Sequence, residues 1–470
     1  MKEKALSFKL IFTVGLMLFA LFLGAGNMIF PPFLGQQAGE NIWIGIFGFL
    51  ITGVGLPLLG IIAIAKTGGD LQTLANRVNP VYGVIFTVIM YLAIGPFFGI
   101  PRTGTVAYEI GVTPFLPEGV NKYGLSLFIY TIIFFGLTIW LAMNPAKLVD
   151  RIGKVLTPAL LVILTILVIK SILTPMGDLQ SPSGAYMDGP FFKGFLEGYL
   201  TMDTIAALVF GIVVINSIRE KGFESKALIT KACIYAGIIA AAGLALVYVS
   251  LGYIGATSTE AIGLKENGGA ILSGSANYLF GQIGTIILGL AITFACLTTS
   301  IGLVSACAQY FSKLMPFSYR ILVIIISIFS MIIANIGLTQ LISVSLPVLI
   351  VIYPLAIVLI ILSFMHNWFN GFSGVYIGAL ISTFLISFID GLKTAGFEFP
   401  ALNNTLSFLP LFNEGVGWLL PAVIGSILGF LISTGIGEKR KLYKKSGKVP
   451  LSGVQIVGLS YEIKESQRTK

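Results

Sequence analysis

Leu18-Phe19-Ala20-Leu21-Phe22-Leu23-Gly24-Ala25-Gly26-Asn27-Met28-Ile29-Phe30-Pro31-Pro32 reads as a membrane-spanning run with a broken helix. Two glycines and an asparagine interrupt the apolar stretch, and a Pro-Pro pair follows within one to two turns. Backbone groups freed from helical bonding are costly in hydrocarbon, so a break persists only where it lines a buried site or a wet cavity. The half-helix after the break starts with free N–H groups, which suit a carboxylate; the half-helix before it ends in free carbonyls, which suit a small cation. The competing reading is a Gly-rich packing face, with Gly24 and Gly26 admitting a neighbouring helix. Gly-x-Gly-Asn together with Pro31-Pro32 favours the break, which is the best sequence pointer to a transporter's binding site.

Composition agrees with a membrane solvent. Of 470 residues, 56% are hydrophobic and only 10% charged, with a mean hydropathy of +0.95. Soluble domains carry roughly 25% charged residues, so the chain is expected to be a polytopic membrane protein. Its apolar runs suggest twelve spans of the ~20 residues a bilayer requires. They fall near 8–35, 41–65, 80–101, 124–143, 147–172, 192–217, 228–255, 283–311, 319–337, 340–364, 372–390 and 414–435. This divides the chain into a transmembrane transport domain, 1–436, and a basic tail, 437–470. The first run is long and no small-residue cleavage pattern bounds it, so no cleavable signal peptide is expected.

The net charge of +9 concerns topology rather than nucleic acid. With both termini cytoplasmic, the inner segments hold 23 basic residues and the outer ones 6; without the tail the balance is 14 to 6. Lys and Arg concentrate on the cytoplasmic side of membrane proteins, so both termini and the tail are expected in the cytoplasm of a cell-membrane protein. Basic residues of the tail would lie against anionic lipid, but the simpler reading, a charge that retains the tail on the cytoplasmic side, is preferred. Two longer outer loops are expected, near 173–191 and 256–282; the second is a re-entrant lid or a solvated loop.

Three further constellations carry chemistry. Span six holds Glu197-Gly198-Tyr199-Leu200-Thr201-Met202-Asp203, with a carboxylate inside an apolar segment. An intramembrane ionisable group is a functional hypothesis by default. Asp203 is placed to bind a cation, carry a proton or receive a substrate ammonium; otherwise it is a structural carboxylate bonded to span-one amides or hydroxyls. Glu197, nearer the outer interface, is expected to be solvated. Span eight holds Cys296-Leu297-Thr298-Thr299-Ser300, whose hydroxyls either offer hard oxygen ligands to sodium or bond back to carbonyls one turn earlier. Span three holds Gly95-Pro96-Phe97-Phe98-Gly99-Ile100-Pro101-Arg102, with prolines to kink it and aromatics for packing or for a pocket wall. Arg102 and Glu109 are expected to pair across the outer mouth. Spans one and six both have disturbed centres and lie an odd number of spans apart, a positional hint of an inverted repeat.

At these residues the chain resembles the branched-chain amino acid:cation symporter family of the amino acid–polyamine–organocation superfamily. The resemblance rests on Phe19 to Pro32, Gly95 to Thr103 and Glu197 to Asp203, and it runs across essentially all the spans. It implies an all-α, twelve-helix, leucine-transporter-type fold: a five-plus-five inverted repeat with helices one and six broken and spans eleven and twelve accessory. It also implies a sodium site made by the carbonyls of Ala20, Leu23 and Cys296 and the hydroxyls of Thr299 and Ser300. The substrate is expected around Gly24, Ala25, Gly26 and Asn27, whose amides would meet its carboxylate. Tyr199, Leu200, Thr201, Met202 and Asp203 complete that expected site, with span-six carbonyls meeting the ammonium.

These expectations describe a sodium-coupled importer of leucine, isoleucine and valine with no cofactor beyond the coupling ion. Both charges of the zwitterion would be met by half-helix backbone, so no buried protein charge is required. An apolar pocket discriminates one methylene by only ~1–3 kcal/mol, so several branched-chain substrates are expected. A proton-coupled symporter or an exchanger, with Asp203 as proton carrier, is the alternative. A channel would want a polar ring from several helices. An enzyme would want a catalytic cluster, which a single histidine, His366, does not supply.

Overall fold

The computed structural model describes residues 6–117, 121–143, 145–220, 222–397 and 399–435, with backbone alone over 145–157. The basic tail, 437–470, lies outside the described residues. Within them the protein is built of helices: α1 (Phe8–Phe22), α2 (Ala25–Ala38), α3 (Ile42–Leu50), α4 (Leu56–Thr67), α5 (Leu71–Ala75), α6 (Pro80–Leu92), α7 (Gly99–Gly111), α8 (Leu125–Ala142), α9 (Pro145–Leu173) and α10 (Pro190–Glu197). There follow α11 (Asp203–Glu220), α12 (Lys226–Thr257), α13 (Thr259–Ile262), α14 (Gly268–Leu314), α15 (Tyr319–Ala334), α16 (Leu338–Met365), α17 (Ser373–Thr394), α18 (Pro400–Leu406) and α19 (Leu419–Gly435).

Among the described residues, seven segments are long and apolar enough to cross a membrane, and α10 with its 3-10 extension plus α11, bent by 41°, makes an eighth. Phe8–Phe22, Pro158–Leu173, Tyr319–Ala334 and Leu419–Gly435 are shorter apolar helices. Every stretch expected to span is therefore helical over most of its length. Large apolar side chains such as Trp140, Leu246 and Ile283 stand on the outer surface, where lipid rather than water is the natural solvent.

Glycine lets the bundle close around α2. A Cβ on Gly35 would lie 2.0 Å from the Gly252 carbonyl oxygen of α12, and one on Gly255 would lie 2.0 Å from that of Pro32. Backbone meets backbone along this seam, which no side chain could enter. Pro31 and Pro32 lie inside α2 rather than ending it. At the periphery α19 packs on α17 through Gly374, Gly378, Gly425 and Gly429, each tight against opposing backbone.

Two sequence expectations need correction, and one open alternative is decided. Span three does not stop near residue 101. It passes through a π-turn over Ala93–Phe97, kinks at Gly95, and restarts as α7 to Gly111. Pro101 sits in the first turn of α7, where a missing N–H costs nothing. Secondly, the Gly-rich stretch 256–282 is not a solvated loop. Asn267 Oδ1 accepts from the Ala270 amide at 3.0 Å and starts α14. The arm Gly268–Phe280 packs on α2, with Gly268 against the Ile29 carbonyl, and turns at Gly281 (φ 64°, ψ −161°) into the long span. This is the lid-like alternative. Thirdly, Glu197 is buried, not solvated: Tyr186 donates to it at 2.7 Å and Lys193 pairs with it at 3.1 Å.

Candidate functional site

Two helix interruptions face each other at the centre of the bundle. The first lies at Leu23–Gly24. The Leu23 amide still donates to the Phe19 carbonyl and closes α1, whereas Gly24 is extended (φ −112°, ψ −170°) and precedes α2. The Gly24 amide donates to Asn27 Oδ1 at 2.9 Å. The second lies after the 3-10 turn Gly198–Thr201, where Met202 adopts a left-handed conformation (φ 63°) before α11 begins at Asp203. That turn sits on a π-turn in span two: a Cβ on Gly198 would lie 1.9 Å from Thr52 Oγ1, which donates to the Phe195 carbonyl at 2.7 Å. Both breaks leave first-turn N–H groups without helical partners.

The breaks enclose a cavity of about 50 Å³. Gly24, Ala25, Gly26 and Asn27 line it from α2 and its cap, Thr201, Met202 and Asp203 from the second break, and Thr299 and Leu303 from α14. Span three adds Ile94, Gly99, Arg102 and Thr103. Phe22 and Phe210 also line the space, which is smaller than the roughly 150 Å³ that holds benzene.

Asp203 is buried, and Oδ2 accepts from Asn27 Nδ2 at 2.8 Å and from the Tyr248 hydroxyl of α12. Its own amide donates to Thr201 Oγ1 at 3.3 Å. The carboxylate thus joins spans one, six and seven. Tyr248 was not singled out from the sequence; in a long apolar helix a tyrosine reads as packing.

Arg102 changes the electrostatics most. It lies inside the cavity wall with 2% of its surface exposed, not at the outer mouth. Nη1 donates to the Leu200 carbonyl, Nη2 donates to Ser345 Oγ at 3.1 Å, and the guanidinium lies 5.1 Å from the centroid of the Phe30 ring. It does not pair with Glu109, which accepts from Asn267 at 3.3 Å and Tyr123 at 3.5 Å. Two buried charged side chains, Arg102 and Asp203, thus border the cavity.

The remaining expected residues are placed less directly. Tyr199 is buried and stacks on Tyr353 at 4.4 Å. The Leu200 carbonyl is engaged by Arg102, and the Tyr199 carbonyl by the Met202 amide at 3.0 Å. Phe97 packs on Phe329 at 5.3 Å, and neither it nor Phe98 lines the cavity. Ala20 and Leu23 belong to the end of α1, and Cys296 is buried in α14. The Thr298 and Thr299 hydroxyls donate back to the Ala295 carbonyl at 2.8 and 3.0 Å, while Ser300 Oγ accepts from Thr138 of α8 at 3.3 Å. Thr299 nevertheless borders the first break: a Cβ on Gly24 would lie 3.5 Å from its methyl.

The family model of the branched-chain amino acid transport protein matches residues 7–435. The chain belongs to this family. It is 57% identical over 431 residues to the branched-chain amino acid permease BraB of Bacillus subtilis, covering 91% of this chain and 96% of that protein. It is 50% identical over 434 residues to BrnQ of the same organism, also named a branched-chain amino acid permease, covering 92% and 98%. Among solved structures it resembles Mhp1, a nucleobase-cation-symport-1 family transporter in a closed conformation with bromovinylhydantoin bound. The TM-score is 0.60 at 15% identity over 93% of this chain and 94% of that one. That likeness shows the leucine-transporter-type fold. The family is one of multi-pass membrane transporters rather than enzymes.

Proposed function

We propose that this protein is a secondary active symporter that imports leucine, isoleucine and valine by alternating access. The observation that carries the reading is the cavity between the two breaks, which combines polar groups with apolar wall, in a chain whose relatives are named branched-chain amino acid permeases. The α2 amides of Ala25, Gly26 and Asn27 present donors to a carboxylate. Leu21, Phe22 and Phe210 offer apolar surface to a branched side chain. Gly24, Thr201, Met202 and Asp203 complete the substrate site.

Sodium is the proposed coupling ion, held between spans one and eight by the carbonyls of Ala20, Leu23 and Cys296 and the hydroxyls of Thr299 and Ser300. Adjacency of Gly24 and Thr299 supports this. Sodium bound there favours the outward-open state if its affinity for that state is higher, and substrate then permits closure. A proton-coupled reading is favoured by one observation: Asp203 lines the cavity while hydrogen-bonded to both Asn27 and Tyr248, a position from which a proton carrier would sense substrate.

Leucine binding to purified, reconstituted protein, with and without sodium at fixed pH and ionic strength, tests the proposal. Sodium-tightened binding with competition by valine and isoleucine is expected. Equal binding without sodium removes the spans one–eight ion site and leaves the proton reading; failure to bind any branched-chain amino acid removes the substrate assignment.

A further inference from the structure

Among the described residues, Arg102 is the one basic side chain bordering the cavity. None of its hydrogen-bond partners carries a negative charge. The acceptors it uses, the Leu200 carbonyl and Ser345 Oγ, are both neutral, and Nε has no hydrogen-bond partner among the described residues. Among those residues Arg102 forms no ion pair, whereas Lys193 and Glu197 do. A buried cation without a counter-ion is strongly disfavoured, and so is a buried donor left unsatisfied. No anionic side chain among the described residues hydrogen-bonds to the guanidinium. The first-turn amides of α2 border the same cavity and add positive potential. A guanidinium presents parallel donors that match a carboxylate in a way an ammonium does not.

We propose that Arg102 binds the carboxylate of the transported amino acid together with the α2 amides, and that Asp203, bordering the same cavity with opposite charge, receives its ammonium. The site holds one positive and one negative side chain, and the zwitterion meets both. Substrates need both charged groups; the apolar wall only sorts their side chains. The inference rests on the cavity being the amino-acid site.

Leucine and leucinamide share the isobutyl group and the ammonium, but only leucine carries a carboxylate. Binding of each is measured calorimetrically to the wild type, Arg102→Gln and Arg102→Lys, with apparent melting temperature as the folding control. Wild type is expected to prefer leucine, and Arg102→Gln to reduce that preference roughly tenfold to a hundredfold. Arg102→Lys, which keeps the charge without the fork, should give an intermediate preference. Equal weakening of both ligands in Arg102→Gln would make Arg102 a tie between spans three, six and ten and overturn the proposal. So would a wild type that does not discriminate. If Arg102→Gln does not fold, the Lys variant decides, and an unchanged preference there overturns the proposal. A wild type that binds no branched-chain amino acid defeats the site reading itself; leucine binding with a preference that survives at Arg102→Gln defeats only this inference.

Discussion

Asn27 Nδ2 donates to Asp203 Oδ2 at 2.8 Å, so the third residue of α2 is bonded to the first residue of α11. The same asparagine gives Oδ1 to the Gly24 amide at 2.9 Å. One side chain thus closes the first break and ties it to the second. Tyr248 of α12 donates to the same carboxylate oxygen. Any movement that separates spans one and six must break or carry this cluster.

Asp203→Asn keeps the volume and an acceptor for Tyr248 but removes the charge. Hydrogen bonds to ionised groups contribute about 1.5–3 kcal/mol and neutral ones about 0.5–1.5, so a stability loss of about 1 kcal/mol is expected. Transport should fall much further, because the negative charge bordering the cavity is gone. Uptake in vesicles and melting in detergent measure the two effects separately. Wild-type uptake and coupling would make Asp203 a structural carboxylate.

Asn27→Ala removes the Gly24 cap and one donor to Asp203 together. A buried group left unsatisfied costs about 1–3 kcal/mol, so the variant should melt clearly lower than Asp203→Asn. Combining the two should cost less than the sum of the single changes, because both act on one bond. Additive losses would show that the bond contributes little.

Two glycine substitutions should behave oppositely. Gly35→Ala places a Cβ 2.0 Å from the Gly252 carbonyl oxygen, and backbone cannot rotate away as a side chain would. Overpacking commonly costs about 1–3 kcal/mol, and the upper end or more is expected here. Gly24→Ala is extended and meets Asn27 and Thr299 at an ordinary 3.5 Å. It should alter stability by less than about 1 kcal/mol while narrowing the cavity and weakening leucine binding. A stable Gly35→Ala protein would mean that α2 and α12 pack less closely than described.

What the sequence could show depended on contrast. Gly24, Asn27 and Asp203 stood out because flexible, polar or charged residues are costly in an apolar run, and the structure gathers all three around one cavity. Arg102 was misread for a physical reason. Pro96 and Pro101 read as a kink and the apolar run stops near 101, which put Arg102 at the outer mouth, but Pro101 lies in the first turn of α7, where proline is tolerated, and the helix continues to Gly111. A second proline five residues after the first, followed by more small residues, was the signal of a helix restarting. Asn267 before Gly268-Gly269 was likewise a readable helix cap. Tyr248 was not legible, because only the approach of α12 to the start of α11 gives its hydroxyl an acceptor, Asp203.

Span eight supplies the sharpest test of the coupling ion. The Thr299 hydroxyl bonds only within its own helix, to the Ala295 carbonyl at 3.0 Å, and its side chain borders the cavity. Ser300 accepts from Thr138 of α8 at 3.3 Å, so its hydroxyl must share or exchange that partner to meet an ion. A sodium ion at the span-one break would therefore draw on Thr299 first. Thr299→Ala should sharply reduce sodium-stimulated leucine uptake with little change in melting, since a back-bond inside a helix adds little stability. Ser300→Ala should have the smaller effect on sodium dependence, and the double variant should abolish it. The readout is the sodium concentration giving half-maximal uptake at fixed ionic strength. Unchanged sodium dependence in the double variant would remove both hydroxyls from ion binding and move the coupling to Asp203, whose replacement by asparagine should then erase any dependence of uptake on a pH gradient.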